Sequence, residues 1–253
     1  MDANCFLNKE DETDRVIIFI HLPKSGGTTF CDIIAKQNQY HPDICIWRFT
    51  DLDGVFCNLN GVAREEEKRI EVVFGHMFFG VHKKLPQANF TYITFLRHPL
   101  ERIISSYYYS RELVLDMNLR KLFKNMSLYD YVSSNQWNFI TDMGYWPAST
   151  ENLQTRMLAG TIEDDLETAK NNIKKYFSVV GTTERFDETL KIVRKKLGWD
   201  THPYEKRKIG LNKPSLEEIP DEIIEIIKSK NEKDMALYEF ANQLLDEELS
   251  LIE

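Results

Sequence analysis

Lys24 lies in the segment Pro23-Lys24-Ser25-Gly26-Gly27-Thr28-Thr29, where one cation, three hydroxyls and two adjacent glycines fall together. Adjacent glycines let a backbone pass close to an anion with its amide N–H groups turned inward. A helix beginning at that point would add the positive end of its dipole. Lys24 supplies a mobile charge, and Ser25, Thr28 and Thr29 supply hydroxyl donors, so the segment reads as a phosphate or sulfate cradle. A plain glycine turn is the bland alternative, and the lysine and hydroxyls weigh against it.

Two further positions carry chemistry. His76 follows the apolar run Glu71-Val72-Val73-Phe74 and Gly75. An imidazole there suits a general base that takes a proton from a hydroxyl. His21, just before the loop, is a weaker competitor, and His82 and His98 are given no catalytic role. Arg97 follows the run Thr91 to Leu96, and Ser105 stands eight residues later. Arg97's planar fork fits a phosphate at a strand end, with Ser105 donating from the ensuing helix. Glu101 is expected to make a helical ion pair with a neighbour rather than to orient Arg97. Tyr107-Tyr108-Tyr109 could face a partner, but lining of the core or a cleft is the stronger expectation.

These groups need a scaffold. Val16-Ile17-Ile18-Phe19-Ile20 is a continuous apolar run, the pattern of a strand buried on both faces of a parallel sheet. Phe30, Ile33 and Ile34 then recur at helical spacing. Further strands are expected at 71–74, 91–96 and 178–180. Pro99 should open a helix running through Tyr107, and another helix is expected over 187–197. The stretches 119–176 and 215–251 read as mainly helical, and Ser215 to Glu218 has capping-box spacing. Strands alternating with helices imply a three-layer α/β fold with a central parallel sheet and a helical C-terminal part.

A Walker loop would place its Lys and Ser/Thr after the second glycine. Lys24 precedes both glycines, and Gly75 with Gly80 is followed by Val81-His82. A nucleotide or small-molecule kinase is therefore disfavoured.

The 23–29 segment resembles the 5′-phosphosulfate-binding loop of sulfotransferases, Pro-Lys-Ser/Thr-Gly-Gly/Thr-Thr/Ser. Arg97-His98-Pro99-Leu100-Glu101-Arg102-Ile103-Ile104-Ser105 is similar to that family's 3′-phosphate element, which often has Asp where this chain has His98. Gly75-His76-Met77, the segment from Asn152 to Gly160 and Gly181-Thr182-Thr183-Glu184-Arg185-Phe186 resemble the carbohydrate branch that includes glycan 2-O-sulfotransferases.

The resemblance implies a P-loop-type fold and the donor PAPS (3′-phosphoadenosine 5′-phosphosulfate), with PAP as product and no metal required. It implies donor contacts from Lys24, Ser25, Gly26, Gly27, Thr28, Thr29, Arg97 and Ser105, a charge-stabilising role for Lys24, and catalysis by His76. The run Lys206-Arg207-Lys208-Ile209-Gly210-Leu211-Asn212 is either a solvated loop or a flap closing over the donor's 3′-phosphate, as late basic segments containing Gly are in that family. The acceptor could be a glycan, a lipid or a small metabolite. A non-catalytic nucleotide-binding protein on the same fold stays open as an alternative.

The 253 residues carry a net charge of −8, which speaks against a nucleic-acid-binding surface. No repeat or linker divides them, so a single domain over 1–253 is expected, with a flexible tail over 1–14. The start has neither signal-peptide pattern nor apolar span, and Cys5, Cys31, Cys45 and Cys57 lack Cys-x-x-Cys spacing. Free thiols in a cytoplasmic enzyme are the expectation. Oligomeric state is not legible.

Overall fold

The structure is a computed structural model that describes residues 15–40, 45–49, 56–58, 70–85, 89–113, 117–134, 150–201, 203–205 and 213–252. Strands β1 (Val16–Ile20), β2 (Cys45–Phe49), β3 (Phe56–Asn58), β4 (Ile70–Gly75), β5 (Phe90–Leu96) and β6 (Phe177–Thr182) form one sheet in the order β3-β2-β4-β1-β5-β6. Every neighbouring pair is parallel except β2 with β3 at one edge. The four strands read from sequence are all present, each extended by one or two residues at one or both ends or, for β1, unchanged. β2 and β3 are additions to that reading.

Alternation along β1 assigns the layers. Val16, Ile18 and Ile20 point to one face and pack with Leu153, Met157 and Leu158 of α5 (Leu153–Ala159), Ala169 and Ile173 of α6 (Leu166–Tyr176), and Leu237 of α9 (Glu232–Ser250). Phe19 points to the other face, joining Phe30, Ile33 and Ile34 of α1 (Gly27–Tyr40) and Leu190 and Val193 of α7 (Phe186–Leu197). With period-2 side chains, one strand serves both apolar layers, so a continuous apolar run is required.

A third core lies off the sheet, where α2 (Pro99–Leu113), α3 (Met117–Lys124), α4 (Leu128–Ser133) and α8 (Asp221–Lys230) bring together Ile103, Ile104, Phe123, Tyr131 and Ile223. The expected helical middle and end are thus found wherever those stretches are described. Pro99 is the first residue of α2, where its missing N–H costs nothing. Glu218 accepts from the Ser215 backbone N–H at 2.8 Å, so that box caps a 3₁₀ turn (Leu216–Glu218). Residues 1–14 and the run 206–212 lie outside the described residues. No described helix is long and apolar enough to cross a membrane.

Candidate active site

The adjacent strands β4, β1, β5 and β6 end at one edge of the sheet, β5 and β6 running two residues beyond β1 and β4, and the residues just past them are His76, His21, Arg97 and Thr183. Register fixes this: Ile20 pairs with Gly75, and Leu96 with Thr182. Ligands of open α/β sheets bind beyond the carboxyl ends of such strands.

The 23–29 loop joins β1 to α1 as expected. Lys24 and Gly26 both adopt left-handed conformations, with φ of 65° and 73°. For Gly26 this is cheap, whereas Lys24 holds a strained conformation of the kind that recurs at functional sites. Gly27 has a cause besides the one inferred from sequence. A Cβ on it would lie 2.0 Å from Cδ2 and 2.4 Å from Nε2 of His21. The second glycine is therefore demanded by the imidazole lying across the loop, before any anion is considered. Thr183 packs on Gly26, 3.2 Å from where its Cβ would be, and ties itself to β5 by donating N–H and Oγ1–H to the Leu96 carbonyl at 2.8 and 3.0 Å.

Lys24 is held at both ends. Its carbonyl accepts from Arg97 Nη1 at 3.0 Å, and its ammonium sits 3.8 Å from the centroid of the Tyr109 ring. Arg97 Nη2 donates to Glu101 Oε2 at 3.1 Å, and Lys213 Nζ pairs with the same oxygen. The expected helical ion pair of Glu101 is thus with Arg97 itself, so it does orient that guanidinium, contrary to the sequence expectation. Burial alone would push the Glu101 carboxyl up, but Lys213 and Arg97 outweigh it and hold it below the ordinary value. Glu101, Ser105 and Tyr109 recur every four residues along α2, a spacing that keeps them on one helix face.

His76 sits against His21, with ring centroids 4.3 Å apart, and its Nδ1 donates to the His21 carbonyl at 2.6 Å. A carbonyl only accepts, so the neutral ring carries its proton on Nδ1, and Nε2 is its acceptor atom. His21 also stacks on Phe19 and lies 3.9 Å from Cys31 Sγ. Cys31 forms no disulfide among the described residues. His82 donates or accepts at Tyr92 Oη, 2.7 Å away, within an aromatic cluster. His98 is surrounded by Glu184, Glu101 and Glu239, which favour its protonated form, but burial prevails and lowers its pKa. An aspartate at this position would add a fourth carboxylate to that group.

The donor set fits an anion. Ser25 Oγ and Arg97 Nε are buried and have no hydrogen-bond partner among the described residues. Unpaired buried donors are costly, so they mark places where a bound acceptor would be favourable. The structure thus brings together the loop, Arg97, Ser105's helix and His76. Lys206, Arg207, Lys208 and Gly210 lie outside the described residues. Gln154, Tyr109 and Lys213 were not singled out as site residues from sequence; Gln154 stood inside a quoted motif and Tyr109 inside the tyrosine run. Among the described residues no group of three or more His, Cys, Asp or Glu could hold a metal ion.

Comparison with known proteins bears on the chain as a whole. The model of the Sulfotransferase family matches residues 11–241. Heparan sulfate 2-O-sulfotransferase hst-2 of Caenorhabditis elegans is 30% identical over 107 residues, covering 39% of this chain and 33% of that protein. Heparin sulfate O-sulfotransferase of Drosophila melanogaster is 25% identical over 223 residues, covering 81% of this chain and 62% of that protein. The chain therefore spans less than two thirds of the length of either relative. Among solved structures, mouse sulfotransferase SULT7A1 complexed with PAP aligns with a TM-score of 0.40 and 15% identity, over 88% of this chain and 66% of that one. With the family model running over nearly the whole described sheet and its helices, the chain belongs to the sulfotransferase family.

Proposed function

We propose that the chain transfers a sulfuryl group from PAPS to a hydroxyl of a glycan. The observation that carries this reading is the hydrogen bond from Arg97 Nη1 to the Lys24 carbonyl. It couples the element suited to a 3′-phosphate to the loop suited to a 5′-phosphosulfate, so one nucleotide would be gripped at both ends. Two relatives named for heparan or heparin sulfate support a glycan acceptor over a lipid or small metabolite.

Bound PAPS supplies an activated sulfuryl group on a phosphate leaving group. Sulfuryl transfer, like phosphoryl transfer, rests on positioning and on stabilising charge. Lys24 lies in the loop and sets its ammonium against charge developing on the leaving oxygens. Ser25, Thr28 and Thr29 offer hydroxyls, and the start of α1 offers amide N–H groups. His76 takes the acceptor proton on Nε2, while the His21 carbonyl keeps Nδ1 protonated and the ring fixed. Charge stabilisation comes from Lys24 and Arg97, so no metal is assigned.

The test is transfer of radiolabelled sulfate from PAPS to a desulfated heparan, a neutral glycan and a lipid, with EDTA present. Label on the heparan supports the proposal. Turnover only with ATP and magnesium, as phosphate transfer, would overturn it.

A further inference from the structure

Arg97 stands one residue beyond the end of β5, where the ladder to β6 has closed with Leu96 and Thr182. Its own N–H and C=O therefore have no strand partner there, and the side chain that hangs from them should be poorly aimed. Gln154, from the first turn of α5, supplies the missing partner. Its Oε1 accepts from Arg97 N–H at 2.9 Å, and its Nε2 donates to the Arg97 carbonyl at 2.9 Å. A primary amide has the donor and acceptor of a peptide group, so this side chain extends the sheet by one residue pair.

The clamp is itself rigid. Gln154 is fully buried. Its backbone N–H and that of Thr155 donate to the two carboxylate oxygens of Asp234 at 3.2 and 2.7 Å, and Thr155 Oγ1 donates at 2.8 Å. In return the Asp234 N–H donates to Asn152 Oδ1 at 3.1 Å. The starts of α5 and α9 thus cap each other, and Gln154 projects from that junction onto the strand end.

We infer that Gln154 is a positioning residue for nucleotide recognition: it aims Arg97 at the 3′-phosphate without touching the nucleotide. The inference rests on the donor reading proposed above and deepens it. Because Arg97 also braces the Lys24 carbonyl, loss of the clamp should be felt far more by a nucleotide that has a 3′-phosphate than by one that lacks it.

Calorimetric titration with PAP and with AMP, which lacks only the 3′-phosphate, separates the outcomes. Gln154→Met, similar in shape but without the amide, should bind PAP about tenfold more weakly and AMP within about twofold of the unchanged chain. In an Arg97→Ala background the same substitution should have no further effect on PAP. Should Gln154→Met fail to fold, Gln154→Asn, which withdraws the amide by one methylene, should give the same selective loss. Equal losses for PAP and AMP, or none for PAP, would overturn the inference and leave the donor reading standing. An unchanged chain that binds PAP no better than AMP would overturn both.

Discussion

Arg97 donates its Nη1–H to the backbone carbonyl of Lys24, across a separation of 73 residues. The guanidinium that would meet one phosphate also braces the strained residue whose ammonium would meet the other. Position and charge are thus linked through one hydrogen bond, with Glu101 and Lys213 holding the far side of the fork.

Arg97→Ala should weaken PAP binding by about 10- to 100-fold, the scale of one lost charge-assisted contact. Arg97→Lys should not restore it, because an ammonium cannot copy a planar fork that reaches Lys24 and Glu101 together. Titration calorimetry on the three chains checks this.

Gly27→Ala should destabilise the fold by about 1–3 kcal/mol, since the new methyl group meets an imidazole held between Phe19 and His76. His21→Ala removes the obstacle, so the double variant should recover part of the loss. Urea unfolding of the four chains reads the coupling, and strictly additive losses would contradict the contact.

His76→Ala should lower kcat by about 10²- to 10⁴-fold, the usual span for a lost general base, with PAP affinity unchanged. Single-turnover transfer with pre-bound PAPS measures it. An equal loss in PAP affinity would make His76 a donor-site residue instead.

Stability should fall on the acid side in two windows. Burial lowers the His98 pKa despite its carboxylate neighbours, so the unfolded chain gains a proton near 6.5 while the folded chain resists it. Its contribution is complete above 6.5 and is lost as pH falls through the lower folded value. Glu101, with its carboxyl held below 4.5 by Lys213 and Arg97, adds stability above 4.5 that disappears as pH falls through its folded value. Urea midpoints at stepped pH should show both, and His98→Gln should remove the upper window.

Much of this was legible in sequence because it is local. The β1 run had to be a two-faced strand, the loop after it had to begin a helix, and Pro99 marked the start of α2. β2 and β3 were missed because Arg48 interrupts the apolar run of β2 and β3 is three residues ending in Asn58, so neither shows the uninterrupted apolar run that marked β1. Gly27 was read as serving an anion, since the obstruction by His21 exists only once the strand end folds over the loop. Gln154 was visible as part of a motif, but its clamp spans 57 residues and depends on where a distant helix starts. Glu101 was assigned an unnamed helical partner, and only the geometry identifies it as Arg97.

The central claim is that one nucleotide bridges the 23–29 loop and Arg97. A crystal structure with PAP at saturation tests it most directly. The claim predicts the 5′-phosphate against Lys24, Ser25 and the first amides of α1, with the 3′-phosphate against Arg97 and Ser105. PAP bound away from the β1 and β5 ends, or absent at saturation, would contradict it.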